Sequence, residues 1–429
     1  MKSWITFGIV FSAVSFARAE QDSTAARRAQ ELDQRGVYAF TEGDYERALS
    51  LFNEEIAASR FVARPYFWRG LCLQALNRHL EAVMSFSRVL DTDSTNHLAQ
   101  YYRARSYRAL RMYNLAVESF SAARRHRPEF LPPSLELGLL YTERKNYDAA
   151  IAVLEDITRR NPGHGLAYTY LAQAYASKGI KDSAERCYIH SCELDSMYYS
   201  SFVALGGFYY QSQRYAEGIS SFKRAAWIDP LSSEAYRKLG EGYSKIQDYS
   251  KAVQTYGRAL QLEDSSVQVL TGIGSAFFSL QATDSALFYF RQAALRDSSE
   301  PLVHFNLGVA LSRKRKLKDA TAEFQKAIQL SKTEFFSSTL VQLGANQYKL
   351  NEYKKAKESY QKALVFTDQY PPALYNLAVL YDVGLKDPKQ ALRYYKQFLR
   401  ASRVDQYQED LRRQARQQLK RLEERKRKD

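Results

Sequence analysis

An all-α chain folded as a stack of helical hairpins is what this 429-residue sequence predicts, and three observations predict it. A 34-residue frame laid down from Ala29 has a small residue at its eighth place in nine consecutive copies: Gly36, Gly70, Ala104, Gly138, Ala172, Gly206, Gly240, Gly274 and Gly308. Its twentieth place is alanine from Ala48 to Ala320 except for Gly218, while its twenty-fourth is large and apolar from Phe52 to Phe324. Nine of the ten prolines fall where one copy ends and the next begins, where a helix must stop or start. Two small places let a pair of helices approach closely, and the large place fills the gap beside them. Each copy is therefore one hairpin.

The elements follow in chain order. Residues 1–19 read as a secretory signal peptide: Lys2, an apolar run of thirteen residues from Trp4 to Phe16, and the cleavage site Ala17-Arg18-Ala19. Thirteen apolar residues are too few to span a bilayer, so cleavage and export are expected. No cysteine stands near the site to carry a lipid. No Asn-x-Ser/Thr sequon and no ER-retention tail occur, which points to a periplasmic or envelope-associated protein. Residues 20–28 are a short polar lead-in. Residues 29–405 hold eleven tandem copies. A two-residue insertion at Phe335-Phe336 resets the frame; the tenth copy continues with Gly344, Ala356 and Tyr360, and the eleventh with Ala378, Ala391 and Tyr395 after a one-residue slip near Pro388. Turns inside the copies are marked by Gly43-Asp44-Tyr45, Asn146-Tyr147, Asp248-Tyr249 and Glu352-Tyr353. Residues 406–429 predict a basic C-terminal helix whose stripe of Leu411, Ala415, Leu419 and Leu422 is suited to cover the open face of the last copy.

Composition narrows the chemistry. Once the copies are set aside, too little chain remains for an appended enzyme domain. The six histidines are scattered, and neither His-x-x-x-His nor Cys-x-x-Cys spacing occurs. Cys187 and His190 lie three apart on one predicted helix, where packing explains the cysteine better than ligation. Cys187 and Cys192 point to different sides of that helix and Cys72 lies three copies away, so all three read as unpaired thiols. No catalytic residue, metal site or cofactor is expected. The +15 net charge is local. It gathers at Arg103, Arg105, Arg108, Arg111, Arg124, Arg125 and Arg127 of the third copy, at Arg313-Lys314-Arg315-Lys316 with Lys318 in the ninth, and in residues 411–429, with nine Lys/Arg against three acids. An exported chain does not meet chromosomal DNA, so no nucleic-acid partner is expected.

The period and the small-small-aromatic-proline pattern, from Ala29 to about Asp405, resemble the tetratricopeptide repeat family. The resemblance implies a right-handed α-solenoid of about eleven hairpins with a C-terminal capping helix, the first helix of each hairpin lining a concave face. Places 2, 5, 9, 12 and 13 of the frame would then point inward. The fifth and twelfth carry Phe40, Phe67, Tyr101, Tyr210, Phe278, Phe305, Tyr348 and Tyr375, interleaved with polar Thr169, Gln173, Arg237, Ser244 and Thr271. Arg105 and Arg108 face the same groove and suit a carboxylate or phosphate. An aromatic groove with polar relief fits an extended peptide or helix of a protein partner, although each ring is also a candidate to fill the seam between copies. No asparagine stands among the ninth places, so the lysine-and-asparagine clamp of the family's chaperone adaptors is absent. The expectation is a non-enzymatic exported scaffold of the cell envelope. The alternative is binding of anionic polysaccharide, peptidoglycan or a membrane surface through the basic patches.

Overall fold

A computed structural model describes residues 27–58, 63–262, 264–331, 335–402 and 406–426. The expected signal peptide and most of the lead-in lie outside the described residues. Every regular element among the described residues is helical: a helix over 27–41, the helices from Tyr45–Ala58 through Pro388–Ala401 that complete eleven hairpins, and the terminal helix Gln406–Lys426. The chain divides into two compact units, one ending at Leu205 and one beginning at Gly206.

Within each unit the frame explains the packing. A Cβ added to Gly70, Gly138, Gly206, Gly274, Gly308 or Gly344 would lie 2.6 Å from the side chain at place 24 of the same copy, closer than real Cβ atoms come. The two helices touch there, and a larger side chain on the first helix would press on the place-24 residue; alanine fills the place in the third and fifth copies, as Ala104 and Ala172. The place-20 residues, alanine except for Gly218, and the place-24 side chains, rings except for Leu154, are buried in every copy, from Ala48 and Phe52 in the first unit to Ala391 and Tyr395 in the second. Each such ring removes roughly 150–250 Å² from water, so the core is one row of aromatic anchors per unit with small residues between them.

The turn inside each hairpin has a feature that composition conceals. Place 15 is left-handed in all eleven copies: Gly43, Asn77, Arg111, Lys145, Gly179, Gln213, Gln247, Gln281, Arg315, Asn351 and Lys386, with φ between 53° and 92°. The amide after it reaches back five residues, as in Arg78 N–H to the Leu73 carbonyl (2.7 Å) and Met112 N–H to the Tyr107 carbonyl (2.8 Å). These are Schellman closures, which satisfy the carbonyls left over at the end of the first helix. Only two of the eleven use glycine, because the closing hydrogen bonds outweigh the roughly 1 kcal/mol that a side chain costs in that conformation.

The two frame irregularities have structural causes. The insertion at Phe335-Phe336 lengthens the first helix of the tenth copy to 15 residues, Phe335–Lys349, where its counterpart Pro301–Arg313 has 13. The slip of the eleventh copy lies further upstream than the sequence placed it. Helix Pro371–Val379 passes into a π-helical turn over Leu380–Gly384, with Leu385 N–H on the Leu380 carbonyl at 2.8 Å, and this wider turn absorbs the extra residue before Pro388. The terminal helix does cap the last hairpin. Ala415 and Leu422 are buried against it, with Leu411 and Leu419 partly so. The Arg421 guanidinium grips both Asp382 carboxylate oxygens (2.8 and 2.7 Å), and Arg412 donates to the Leu399 and Ser402 carbonyls (3.1 and 2.6 Å). Among the described residues no helix is long and apolar enough to cross a membrane.

Candidate functional site

All the aromatic residues singled out for the groove are half-buried, and each packs on a neighbour. Phe67 meets Phe86 and Tyr102 edge-on (5.8 and 5.7 Å between centroids), and Tyr101 meets Tyr102, Phe120 and Phe130 (5.1, 5.8 and 5.5 Å). Phe305 leans on Phe324 (6.1 Å), and Tyr348 on Tyr353 (5.5 Å). Tyr375 packs on Phe398 (5.2 Å) and donates to the Gln414 side chain of the terminal helix (2.9 Å). The Arg313 guanidinium lies 3.4 Å over the Phe278 ring and donates to the Phe278 carbonyl (2.7 Å), so that face of the ring is covered. Tyr210 packs on Tyr215 (5.3 Å) and borders open space. Burial raises the Tyr101, Tyr210, Tyr348 and Tyr375 hydroxyls above their ordinary value, keeping them protonated donors. Thr169, read as polar relief, is buried instead, where its hydroxyl meets those of Ser191 (2.7 Å) and Ser201 (3.1 Å).

The two arginines differ. Arg105 is exposed, its guanidinium 5.9 Å from the Tyr101 and Tyr102 rings. Arg108 already holds two carboxylates of the following copy, Glu136 and Glu143, so its fork ties one repeat to the next. Much of the remaining basic surplus is likewise engaged: Arg124 with Asp156 (2.8 Å), Arg127 with Glu129 (2.9 Å) and Lys314 with Asp284 (3.0 Å).

One cavity opens on the face made by first helices of the second unit. It has a volume of about 710 Å³ and spans copies seven to nine, on helices Ser233–Lys245, Val267–Ser279 and Pro301–Arg313, with Tyr210 at its edge. Ser244, Thr271 and Ser275 contribute hydroxyls, Gln268 an amide, and Glu241, Asp297, Glu300 and Lys245 charge, while Val267, Leu302 and Val303 supply apolar wall. Tyr210, Glu241, Ser244, Thr271 and Ser275 occupy places 12, 9, 12, 5 and 9, the inward ones of the frame. Gln268 and Leu302 at place 2 and Lys245 at place 13 carried the same signal. Asp297 and Glu300 carried none, because they belong to the junction between copies, where the frame prescribes only a helix stop.

His304 is buried, its Nε2 donating to the Ser298 carbonyl (3.1 Å) and its Nδ1 sharing a proton with Glu323 (2.6 Å) across one hairpin. Among the described residues no three His, Cys, Asp or Glu side chains are placed to hold a metal ion. The three thiols are unpaired, and burial pushes those of Cys72 and Cys192 up to about 12, so they are not thiolates at neutral pH.

Tetratricopeptide repeat models match residues 34–97, 135–188, 235–266, 271–334, 337–364 and 372–401, in register with the hairpins. The chain belongs to the tetratricopeptide repeat family. A search of curated proteins returned no match. Among solved structures, yeast Tom70 is similar at 15% identity over 94% of this chain and 97% of that one, with a TM-score of 0.45. A chain of the APC/C hetero-tetramer Cut9–Hcn1 crystal structure is also similar, at 15% identity over 90% of this chain and 96% of that one, with a TM-score of 0.47. A tetratricopeptide repeat protein from Parabacteroides merdae matches at 15% identity over 58% of this chain and 99% of that one, with a TM-score of 0.49. Tetratricopeptide repeat folds serve as protein–protein interaction scaffolds, and this all-α chain of eleven hairpins is one of them by fold.

Proposed function

We propose that this tetratricopeptide repeat protein is an exported, non-enzymatic scaffold of the cell envelope that holds an extended or helical segment of a partner protein in the groove of its first helices. The cavity of copies seven to nine carries the reading: it lies at frame places that would face a groove, and it combines an aromatic edge with hydroxyl, amide and charged groups. Export rests on Lys2, the run from Trp4 to Phe16 and Ala17-Arg18-Ala19. The anionic-polymer alternative has less to stand on, since Arg108, Arg124, Arg127, Arg412 and Arg421 are spent on the protein's own carboxylates and carbonyls.

A photo-crosslinking residue at Ser275 in the cavity should capture a partner, whereas the same residue at exposed Leu295 should not. Capture from Leu295 alone would remove the groove reading. Amino-terminal sequencing of the protein from its native cells should begin at Glu20, and an intact Met1 would remove export.

A further inference from the structure

The cavity of copies seven to nine is uneven in charge. Lys245, the one cation among its described lining residues, belongs to copy seven, whereas Asp297 and Glu300 stand together at the junction of copies eight and nine. The third lining carboxylate, Glu241, is neutralised within its own helix by Arg237 (2.7 Å) and Lys238 (3.4 Å). Asp297 accepts the Ser299 amide (2.8 Å) and hydroxyl (2.6 Å), and these hydrogen bonds hold its carboxyl below the usual range, so it is ionised at neutral pH. Neither it nor Glu300 has a cation beside it among the described residues.

Some carboxylates of this unit are met, Asp284 by Lys314, Glu323 by His304 and Asp382 by Arg421, while Asp229 and Asp264 at other junctions accept local amides, as Asp297 does. What sets Asp297 and Glu300 apart is that they stand together on the rim of a cavity, where their combined field favours a cation brought by a partner. One further group restricts its form. Leu302 is 43% exposed next to Glu300 in the lining, an apolar surface suited to a methylene stem.

We propose that this cavity reads a lysine or arginine side chain on an extended partner segment. Asp297 and Glu300 take the cationic head, and Leu302 takes the stem. The proposal rests on the groove reading above and adds the partner's chemistry. Charge-assisted bonds to two carboxylates favour this side chain over an apolar one of equal length, and an acidic one is repelled.

A random dodecapeptide phage library selected on the full-length chain tests both levels. Lysine or arginine should be enriched at one position of the selected peptides. A labelled synthetic copy of the winner should bind at least about tenfold more tightly than its norleucine version, and the advantage should shrink as salt rises from about 50 to 500 mM. Glu300→Lys should erase the lysine preference and leave the norleucine peptide's affinity unchanged. The Glu300 side chain makes no hydrogen bond or ion pair in the described structure, but it stands at the N-cap of Pro301–Arg313, where a cation opposes the helix dipole, so the melting temperature should fall only slightly. Asp297→Asn, which keeps the acceptor for Ser299, should halve the preference or more.

Enriched peptides without a basic position, competed away by Ser275→Trp filling the cavity, would overturn the charge assignment and leave the groove standing. No enrichment over the Ser275→Trp chain would overturn both. A lysine preference that survives Glu300→Lys and Asp297→Asn would overturn the role of these two carboxylates.

Discussion

Two glycines on consecutive helices, 15 residues apart, should respond to the same substitution with opposite signs. Gly257 and Gly272 both lie inside helices, Tyr249–Gln261 and Val267–Ser279. Alanine in a helix interior is favoured over glycine by up to about 1 kcal/mol. A Cβ at position 257 meets nothing within 4 Å, so Gly257→Ala should collect that gain in full. At position 272 a Cβ would stand 2.6 Å from Tyr256 Cζ and 2.9 Å from both Cε atoms. The ring has no room to retreat: it is 4% exposed, and on its other side a Cβ at Gly240 would lie 2.7 Å away. Overpacking of this kind costs about 1–3 kcal/mol, so after the helical gain Gly272→Ala should destabilise by about 0–2 kcal/mol. The two variants should thus differ by about 1–3 kcal/mol, or several degrees at roughly 2–4 °C per kcal/mol for a unit of this size.

Far-UV circular dichroism during urea and thermal unfolding would measure the difference. Tyr256→Leu provides the control that separates the clash from any intrinsic intolerance at position 272. Leucine has no atom where Cζ stands, and Leu154 fills the same place opposite Gly138 in the fourth copy. In the Tyr256→Leu background the penalty of Gly272→Ala should vanish, a coupling of about 1–3 kcal/mol. If Gly272→Ala stabilises as much as Gly257→Ala in the wild-type background, close helix approach over the place-24 ring is not what selects glycine here.

Other predictions read different parts of the fold. Burial, with Asp33 adding to it and Arg64 opposing, raises the Glu55 carboxyl from 4.5 to about 7. The folded state therefore holds the extra proton between those values and loses stability as pH rises through the window, by at most about 3 kcal/mol; Glu55→Gln should match wild type at pH 4.5 and melt higher at pH 7.5, and equal melting curves at both would sink this assignment. Gln247 occupies the left-handed turn place with φ of 63°, so Gln247→Gly should be neutral to stabilising by about 1 kcal/mol, whereas Gly179→Ala at φ 92° should cost about 1–2 kcal/mol. Ala415 of the terminal helix is fully buried against the last hairpin, and Ala415→Asp should release that helix and expose amides of Pro371–Val379 to hydrogen exchange, with amides of the first unit unchanged.

What the amino-acid sequence disclosed was whatever repeats with the period. The place-8 glycines, the place-20 alanines and the place-24 rings are one steric device used eleven times, so nine copies sufficed to see it and the structure only supplied the distance. The left-handed turn is equally regular but invisible, because Asn77, Arg111, Lys145, Gln213, Gln247, Gln281 and Arg315 share a conformation without sharing a chemistry. The groove was half legible for a related reason. Places 5 and 12 were located correctly on the first helices, yet a place that faces inward also faces the next copy. Tyr101 and Phe67 are seam rings as much as surface rings, and nothing in a single position says which role takes more of its area.

Charge was least legible, and the reason is geometric. Counted along the chain, Arg108 belongs to a cluster of seven arginines with Glu118 as its only near acid. In space its partners are Glu136 and Glu143, 28 and 35 residues on, one repeat away. Lys178 with Asp148 (2.5 Å) and Lys314 with Asp284 (3.0 Å) share one register, each lysine reaching back 30 residues to the preceding copy. In a 34-residue array the neighbours of a charge are found about one period away, so a surplus within one copy is no measure of its field. Each exposed pair contributes only about 0–1 kcal/mol, and what the pairing decides is which charges stay available. By that count Arg108, Arg124 and Arg127 of the third copy are satisfied while Arg105 stays available, and Asp297 and Glu300 are carboxylates left facing an open cavity.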